Sequence, residues 1–327
     1  MNTRKLGFTD LHLTEVGFGA WAIGGGDWSF GWGPQDDDES IAAMRRAVEL
    51  GVNWIDTAAI YGLGHSEELV ARAFEGRRDE IIIATKCSQV WNEKGEISGR
   101  LTSDSVRREC EDSLRRLNTD HIDLYQIHWP IDDEHIEEGW EAIARLMEEG
   151  KVRYGGVSNF NVGHMERAQR IHPIASLQPP YSMLRRKVEG AEFDFCRRND
   201  IGVVAYSPMH SGLLTGKFDI RRVAENDWRR RSNEFKEPNL HINQEFAGRL
   251  WNIALKYDKT PAQLAIAWTL RLDVVTAAIA GARRPSQIEE TVGGAGWRID
   301  EGDLKLIDEL LEWRIDRLKE AGGYLPQ

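Results

Sequence analysis

The chain has 327 residues, of which 41% are hydrophobic and 29% charged, so it can bury a sizeable core beneath a charged surface. With 42 Lys and Arg against 53 Asp and Glu, the formal net charge of −11 argues against a nucleic acid as the main partner. No run approaches the roughly 18 apolar residues of a membrane-spanning helix, and the first residues lack the apolar region of a signal peptide, so we expect a cytoplasmic protein that does not enter membranes.

The cysteines and histidines give no indication of a metal site. Cys87, Cys110 and Cys196 stand far apart without C-x-x-C spacing, which favours reduced, buried thiols. The nine histidines show none of the paired spacings that are typical of metal ligands. We therefore expect no bound metal.

Strand and helix patterns alternate along most of the chain. Apolar runs predict eight strands, at 13–19, 52–58, 80–86, 122–128, 152–159, 176–181, 201–208 and 274–281. Apolar spacing of three and four residues predicts helices between them, for example at 38–51, 66–76, 103–117, 137–151 and 191–199. This alternation, with no Pro/Gly/Ser-rich linker, predicts a single domain over 1–327 that forms a closed (β/α)8 TIM barrel, with a doubly wound sheet as the alternative.

Three further segments are predicted to decorate the barrel. Residues 4–16 carry a Gly-Phe-Thr-Asp turn between short β-like arms, which predicts an N-terminal hairpin that closes the bottom of the barrel. The polar stretch 219–243 is expected to be a functional or mobile loop. Residues 300–320 have the pattern of an extra amphipathic helix at the C-terminus.

A glycine-rich run at residues 14–26 poses a choice between two kinds of nucleotide site. Gly17, Gly19 and Ala22 match the G-x-G-x-x-G/A pattern of a Rossmann turn. Such a turn leads directly into a helix, whereas here more glycines and an aromatic, turn-rich stretch follow, and the helical pattern begins only near Asp37. We therefore interpret the match as coincidental.

Four polar residues fall at or just after the ends of the second, third and fourth predicted strands: Asp56, Tyr61, Lys86 and His128. Each alone has an ordinary structural explanation, such as a helix cap or rim packing. Because the carboxyl ends of barrel strands converge on one face, we expect the four to form one site, with Asp56 pairing the buried Lys86. The Lys86 ammonium is expected to lower the pKa of Tyr61 from about 10, and His128 to hydrogen-bond a substrate oxygen. This predicts a proton donor for carbonyl chemistry.

The segment after the last predicted strand is suited to phosphate binding. Arg283 and Arg284 precede Pro285 and Ser286, which open a helix, and barrel enzymes bind phosphate at this place. Two arginines also fit the 2′-phosphate of a nucleotide. An ordinary capped helix with solvated arginines is the alternative.

Taken together, these motifs resemble the aldo-keto reductases, NAD(P)H-dependent oxidoreductases built on a (β/α)8 barrel. The matching pieces occur in order along nearly the whole chain: GVNWIDTAAIYG, ATK, IDLYQIHWP, GKVRYGGVSNF, LQPPYS, AYSPMHSGLLTGK and AGARRPSQIEE. The HWP and GARRPSQ details are most similar to a bacterial branch with broad-specificity aldehyde and polyol enzymes.

The resemblance implies a role for each of the four polar residues. Tyr61 would donate the proton in reduction, Lys86 and Asp56 would tune it, and His128 would orient the carbonyl.

It also implies a cofactor site. Ser158, Asn159 and Gln178 match carboxamide-binding positions, and Tyr206 matches the aromatic that stacks on the nicotinamide. The full set of predicted cofactor residues is Ala20, Trp21, Asp56, Ser158, Asn159, Gln178, Tyr206, Ser207, Pro208, Gly212, Lys217, Arg231, Gly281, Arg283, Arg284, Gln287 and Glu290. With a nicotinamide cofactor implied, Arg283 and Arg284 favour NADPH over NADH. Gln287 replaces an arginine that is frequent in other branches, so NADH remains an alternative to NADPH.

The expected substrate is a small carbonyl compound or a polyol, bound by a monomer or weak homo-oligomer. Trp21, Trp32, Trp91 and Trp129, with Trp28, fall in predicted strand-end loops, where aromatic walls suit apolar aldehydes or sugars. Two other functions are compatible with parts of the sequence: a lyase with Lys86 as a Schiff-base amine, and an NADPH-binding regulatory protein that senses redox state.

Overall fold

The computed structural model describes residues 1–26, 28, 30–225 and 227–325. Its strands are β1 (Thr3–Lys5), β2 (His12–Thr14), β3 (Val16–Gly19), β4 (Trp54–Asp56), β5 (Ile82–Cys87), β6 (Gln89–Trp91), β7 (Ile97–Gly99), β8 (Ile122–Ile127), β9 (Val152–Ser158), β10 (Ser176–Gln178), β11 (Gly202–Ala205) and β12 (Val275–Gly281). Within the described residues, eight parallel strands close into a barrel in the order β3-β4-β5-β8-β9-β10-β11-β12. The predicted barrel is confirmed: seven of the eight predicted runs contain one of its strands, and the run 80–86 covers all of β5 except Cys87.

The helices lie between and after these strands. They are α1 (Asp37–Glu49), α2 (His65–Ala73), α3 (Ser103–Leu117), α4 (Ile136–Glu148), α5 (Val162–Gln169), α6 (Ala191–Arg198), α7 (Asn239–Ala254), α8 (Pro261–Thr269), α9 (Pro285–Thr291) and α10 (Glu301–Glu320). The helix α10 is the predicted C-terminal addition, and it contacts α7 where Arg314 Nε donates to Asn243 Oδ1 over 2.7 Å.

The glycine-rich run is not followed by a nucleotide-binding helix. A 3-10 turn at Trp21–Ile23 follows β3, and α1 begins at Asp37, as the pattern predicts. The Asp36 side chain caps α1 by accepting from Glu39 N over 2.8 Å, and acidic residues fill its first turn, where they favour the helix dipole. The match to the Rossmann turn is therefore coincidental, as interpreted from the sequence.

The N-terminal hairpin closes the amino-terminal end of the barrel. Strands β1 and β2 pair antiparallel, and Leu6, Leu11 and Leu13 are buried against the barrel interior. Gly7 has φ +49°, and a Cβ there would lie 2.4 Å from Asp200 O just before β11, so a side chain does not fit. The predicted N-terminal hairpin is confirmed, and it closes the barrel interior at its amino-terminal end.

Two parts of the structure differ from the sequence prediction. Strands β6 and β7 form an antiparallel hairpin after β5 that the pattern did not indicate, because its residues are only half-buried. The predicted loop 219–243 ends in α7, which starts at Asn239 and buries Leu240 and Ile242. Short 3-10 turns occupy much of the rest of this segment.

Candidate active site

A cavity of about 550 Å³ lies at the carboxyl ends of the barrel strands. The ends of six strands and their following residues contribute Gly19, Asp56, His128, Ser158, Gln178 and Gly281 to its wall. Loops add an aromatic side, comprising Trp21, Trp28, Phe30, Trp32, Tyr61 and Trp129. This is the face on which barrel enzymes build their active sites.

Lys86 lies directly beneath this cavity, fully buried, and is paired as predicted. Its Nζ donates to Asp56 Oδ2 over 2.7 Å, to Thr57 O over 2.8 Å and to Tyr61 OH over 3.4 Å. These three acceptors match the three donors of an ammonium, which makes the buried charge tolerable. Burial lowers the pKa of Lys86 from its ordinary value, and the neighbouring Asp56 carboxylate opposes that change.

The pKa of Tyr61 moves in the direction opposite to the sequence-based expectation. Burial raises it well above 10, and the charge of Asp56 raises it further. The expectation that Lys86 lowers this pKa considered only the nearby ammonium and not the loss of water around the phenol. Tyr61 is therefore protonated at neutral pH, the form from which a proton can be donated.

His128 stands at the cavity wall against Tyr61. The two ring centroids are 5.6 Å apart at 77°, an edge-on contact. Desolvation lowers the pKa of His128 well below 6.5, and the Lys86 charge lowers it further. The imidazole is therefore neutral at physiological pH and has one N–H available as a donor.

The turn that carries Tyr61 is held by backbone packing against the loop after β3. Gly62 has φ +63°, and a Cβ on it would lie 2.0 Å from Gly24 O, so only glycine fits. Ala20 N donates to Asp56 O over 2.8 Å, which ties the same loop to the end of β4. The glycine-rich run thus has a structural role in fixing the site.

Three predicted cofactor residues form a connected polar group beside Asp56. Gln178 Nε2 donates to Asp56 Oδ1 over 2.7 Å, and Ser158 Oγ donates to Gln178 O over 2.8 Å. Asn159 Nδ2 donates to His128 O over 2.9 Å, while its Oδ1 accepts from Tyr206 OH over 2.9 Å. All of these residues line the cavity.

This donor set fits a nicotinamide. Amide and hydroxyl side chains can both donate to and accept from a carboxamide, and the Tyr206 ring flanks the same space. Gly281 also lines the cavity, and a Cβ there would meet only Gly19 O, at 3.8 Å, so its backbone borders open space. The cavity also contains the predicted residues Trp21, Ser207, Pro208, Gly212 and Gln287.

Other predicted cofactor residues lie outside the cavity wall. Lys217 Nζ forms a surface ion pair with Glu290 Oε1 at 3.2 Å, and Arg284 is exposed. Ala20 is buried behind the wall. Arg283 is bound to the segment 32–35 instead of facing the cavity.

The loop after β11 supplies a different arginine from the predicted one. Arg231 is exposed and lies outside the wall, whereas Arg229 lines the cavity. Arg229 is paired with buried Asp227 at 2.7 Å, and its guanidinium lies 4.2 Å from the centre of the Trp32 ring. The sequence offered three consecutive arginines and no means of choosing among them.

The predicted aromatic walls are mostly in place. Trp21, Trp32 and Trp129 line the cavity, as does Trp28. Trp91 does not, because its ring lies beneath Arg116, at 5.8 Å, and packs behind Tyr61. The wall also includes Phe30, Ile131 and Met209, which the sequence analysis did not single out.

The barrel and its buried Asp-Lys-Tyr group with an adjacent histidine define a carbonyl oxidoreductase. The model of the aldo/keto reductase family matches residues 15–312, and the chain belongs to this family. The aldo-keto reductase YhdN of Bacillus subtilis is 35% identical over 95% of this chain and 94% of its own length. An NADH-specific methylglyoxal reductase of Escherichia coli is 33% identical over 95% of this chain and 99% of its own length.

Solved structures give the same assignment. The glycerol dehydrogenase AKR11B4 from Gluconobacter oxydans superposes with a TM-score of 0.88 at 34% identity, covering 96% of both chains. The aldo-keto reductase AKR11C1 from Bacillus halodurans, in its holo form, gives a TM-score of 0.79 at 29% identity over 95% of this chain and 96% of its own.

The protein is therefore a nicotinamide-dependent oxidoreductase that acts on carbonyl groups of small molecules, and the predicted family and enzyme class are confirmed. The lyase and redox-sensor alternatives are not favoured. Among the described residues, no helix is long and apolar enough to span a bilayer.

Proposed function

We propose that this enzyme reduces aldehydes and ketones to alcohols with NADPH, reversibly, and that Tyr61 is the proton donor. The carrying observation is that Lys86 contacts both Asp56 and Tyr61 directly beneath the cavity, with His128 at the wall beside Tyr61. Tyr61 is protonated at neutral pH and can therefore donate its proton. The Lys86 ammonium lies 3.4 Å from the Tyr61 oxygen, which would become charged after that donation.

Each side chain then has a defined part in the reaction. When bound, a reduced nicotinamide would supply a hydride for the carbonyl carbon. Tyr61 gives its proton to the carbonyl oxygen, and the Lys86 ammonium stabilises the phenolate that remains. Neutral His128 donates its N–H to the same oxygen and orients the carbonyl, while Asp56 keeps Lys86 charged and in place.

The chain's own residues would hold the cofactor along the cavity. We assign the carboxamide to Ser158, Asn159 and Gln178, with Tyr206 flanking the nicotinamide ring. The pyrophosphate would lie along the stretch 207–212 with Arg229 in place of Arg231, and the adenosine end near Gly281, Gln287 and Arg284. Lys217 and Glu290 would reach this end only after their ion pair separates.

The substrates we propose are small aldehydes and ketones, including polyol-derived ones. Aromatic walls from Trp21, Trp32 and Trp129 offer flat apolar surfaces that stack on such compounds. One relative is named for methylglyoxal and one structural neighbour for glycerol, which makes these the first compounds to assay.

The first experiment is the Tyr61→Phe variant with NADPH and methylglyoxal. Loss of the hydroxyl removes the proton donor but keeps the ring, so kcat should fall about 10³-fold. Tryptophan fluorescence should show nearly unchanged NADPH binding. Normal turnover in this variant would refute the assignment of Tyr61.

Preference for NADPH needs its own measurement, because the relatives include an NADH-specific enzyme and one named for NADP+. We expect fluorescence titration to give clearly tighter binding of NADPH than of NADH. Equal binding would leave the enzyme class in place and remove the 2′-phosphate argument.

We further propose that one chain is a sufficient catalytic unit, working as one domain in the cytoplasm. The three cysteines are buried and free, which suits a reducing compartment. Sedimentation measurements should show activity in the monomeric fraction.

A further inference from the structure

The part of the cavity wall formed by Trp32 is supported by a contact between Gln35 and Arg283, which are distant in the sequence. We propose that Gln35, through Arg283, is a positioning residue that fixes Trp32 and thereby sets the size of carbonyl substrate that the enzyme accepts. This inference rests on the proposed reductase function and adds a determinant of its selectivity.

Gln35 and Arg283 hydrogen-bond to each other in both directions. Arg283 Nε donates to Gln35 Oε1 over 2.5 Å, and Gln35 Nε2 donates to Arg283 O over 2.8 Å. An amide side chain is required for this exchange, because it carries a donor and an acceptor on one planar group.

The Arg283 guanidinium also holds the backbone between Trp32 and Gln35. One terminal nitrogen donates to Trp32 O over 3.3 Å and the other to Pro34 O. In the described stretch 30–36 no residue belongs to a helix or strand, so this segment lacks the backbone ladder that would otherwise fix it. The arginine therefore replaces secondary structure as the support of this loop.

Gln35 also connects the loop to a rigid element. Its Nε2 lies 3.0 Å from Ser40 Oγ and 3.2 Å from Asp36 O, both at the start of α1. The pair thus joins the loop, α1 and the segment after β12 at one point.

The position of Trp32 in turn affects the part of the cavity that is proposed to hold the substrate. Trp32 lines the cavity, and its ring contacts Trp21 with centroids 5.9 Å apart, while Trp21 stacks on Tyr61 at 6.4 Å. The Arg229 guanidinium also lies over the Trp32 ring, 4.2 Å from its centre. A shift of the Trp32 backbone would therefore change the space next to the proposed proton donor.

Gln35 itself does not line the cavity and so has no direct contact with a substrate there. Its replacement should act on substrate fit rather than on chemistry. The expected signature is a change in KM that depends on substrate size, with kcat for each substrate much less affected.

The test compares propionaldehyde with 2-naphthaldehyde, using NADPH and the full-length protein. Gln35→Met keeps the side-chain size but removes both hydrogen bonds with Arg283, and should lower the ratio of kcat/KM for the small over the large aldehyde about tenfold. Gln35→Glu retains an acceptor for Arg283 Nε and should lie closer to the wild type. If Gln35→Met does not fold, the Glu variant alone must still shift the ratio, because it loses the donor to Arg283 O.

Two controls separate this role from general damage. Gln169 is another half-buried glutamine, outside the cavity wall, and its side chain accepts a hydrogen bond from Ile174 N. The variant Gln169→Ala should leave the kcat/KM ratio of the two aldehydes unchanged. In a Trp32→Ala background, Gln35→Met should change the ratio less than twofold, because the residue through which it acts is absent.

An unchanged ratio in both Gln35 variants would overturn the proposal, as would a full effect in the Trp32→Ala background. A tenfold change in NADPH affinity accounting for the effect would also overturn it. A wild-type protein that reduces neither aldehyde would instead contradict the proposed function, so the two failures are distinguishable.

Discussion

Lys86 is the residue on which the proposed chemistry of the site depends. Its ammonium is buried among three oxygen acceptors. The one charged acceptor, the Asp56 carboxylate, also accepts a hydrogen bond from Gln178. The same carboxylate therefore connects Lys86, which we propose tunes Tyr61, with Gln178, which we assign to the cofactor. A change at Asp56 would disturb both sides of the site.

Lys86→Met should reduce kcat for carbonyl reduction about 10²-fold or more, because no charge remains to stabilise the Tyr61 phenolate. Burial lowers the pKa of Lys86, so the wild-type rate should fall on the alkaline side at a pH below the ordinary lysine value of 10.5, as the ammonium is lost. Rate measurements against pH should show this limb in the wild type and not in Lys86→Met. The exposed Lys305→Met is the matched control, and an alkaline limb that persists without Lys86 would contradict the assignment.

Arg284→Ala should affect NADPH more than NADH. Arg284 is exposed at the start of α9, whereas Arg283 is bound to the loop 32–35, so we assign the 2′-phosphate to Arg284. Loss of one charge-assisted contact should weaken NADPH binding about tenfold, or ~1.4 kcal/mol. Fluorescence titration measures both cofactors, with the exposed Arg298→Ala as control; an equal loss for both would argue against a phosphate contact.

At the scale of elements, the segment between β11 and α7 forms one side of the cavity mouth. Arg229 reaches from it to the Trp32 ring and donates to Ser211 O over 3.2 Å, and Trp228 stacks on Trp21 with centroids 6.3 Å apart at 13°. Buried Asp227 fixes this arginine. These contacts connect the segment between β11 and α7 to the loop between β3 and α1, on both sides of the proposed cofactor path.

Arg229→Ala should increase the rate of NADPH release about tenfold, because it removes both a cation beside the proposed pyrophosphate site and the contact with Trp32. The neighbouring Arg231→Ala should have little effect, since that side chain is exposed and outside the cavity wall. Stopped-flow fluorescence distinguishes the two. A larger effect from Arg231 would restore the assignment made from sequence.

At the scale of the whole molecule, the two ends of the barrel have separate tasks. The hairpin fills the amino-terminal end with Leu6, Leu11 and Leu13, while the carboxyl end carries the cavity. Stability and function are therefore expected to respond to mutations at different ends.

Leu13→Ala should lower the free energy of unfolding by about 2–5 kcal/mol, because a fully buried side chain leaves a cavity in the plug. The kcat of the folded variant should be close to that of the wild type. Urea denaturation measures the free energy of unfolding and steady-state assays measure kcat, with the variant Leu255→Ala at an exposed position as control. A large fall in kcat with unchanged stability would contradict this separation.

Much of the architecture was predictable because it depends on local pattern. Apolar runs and helical spacing run the whole length of the chain, and their alternation admits few folds. The hairpin β6–β7 was missed because its half-buried residues give no clear alternation, and α7 because its first residues lie in a stretch that is polar overall.

The sequence by itself determined the barrel, the family and the presence of Asp56, Tyr61, Lys86 and His128 at strand ends, because strand direction alone brings those ends together. Only the tertiary structure decided that Tyr61 has a raised pKa, that Arg229 rather than Arg231 faces the cavity, and that Arg283 binds Gln35, 248 positions away. These properties depend on the loss of water around buried groups and on contacts between distant segments. Neither can be predicted from the local sequence.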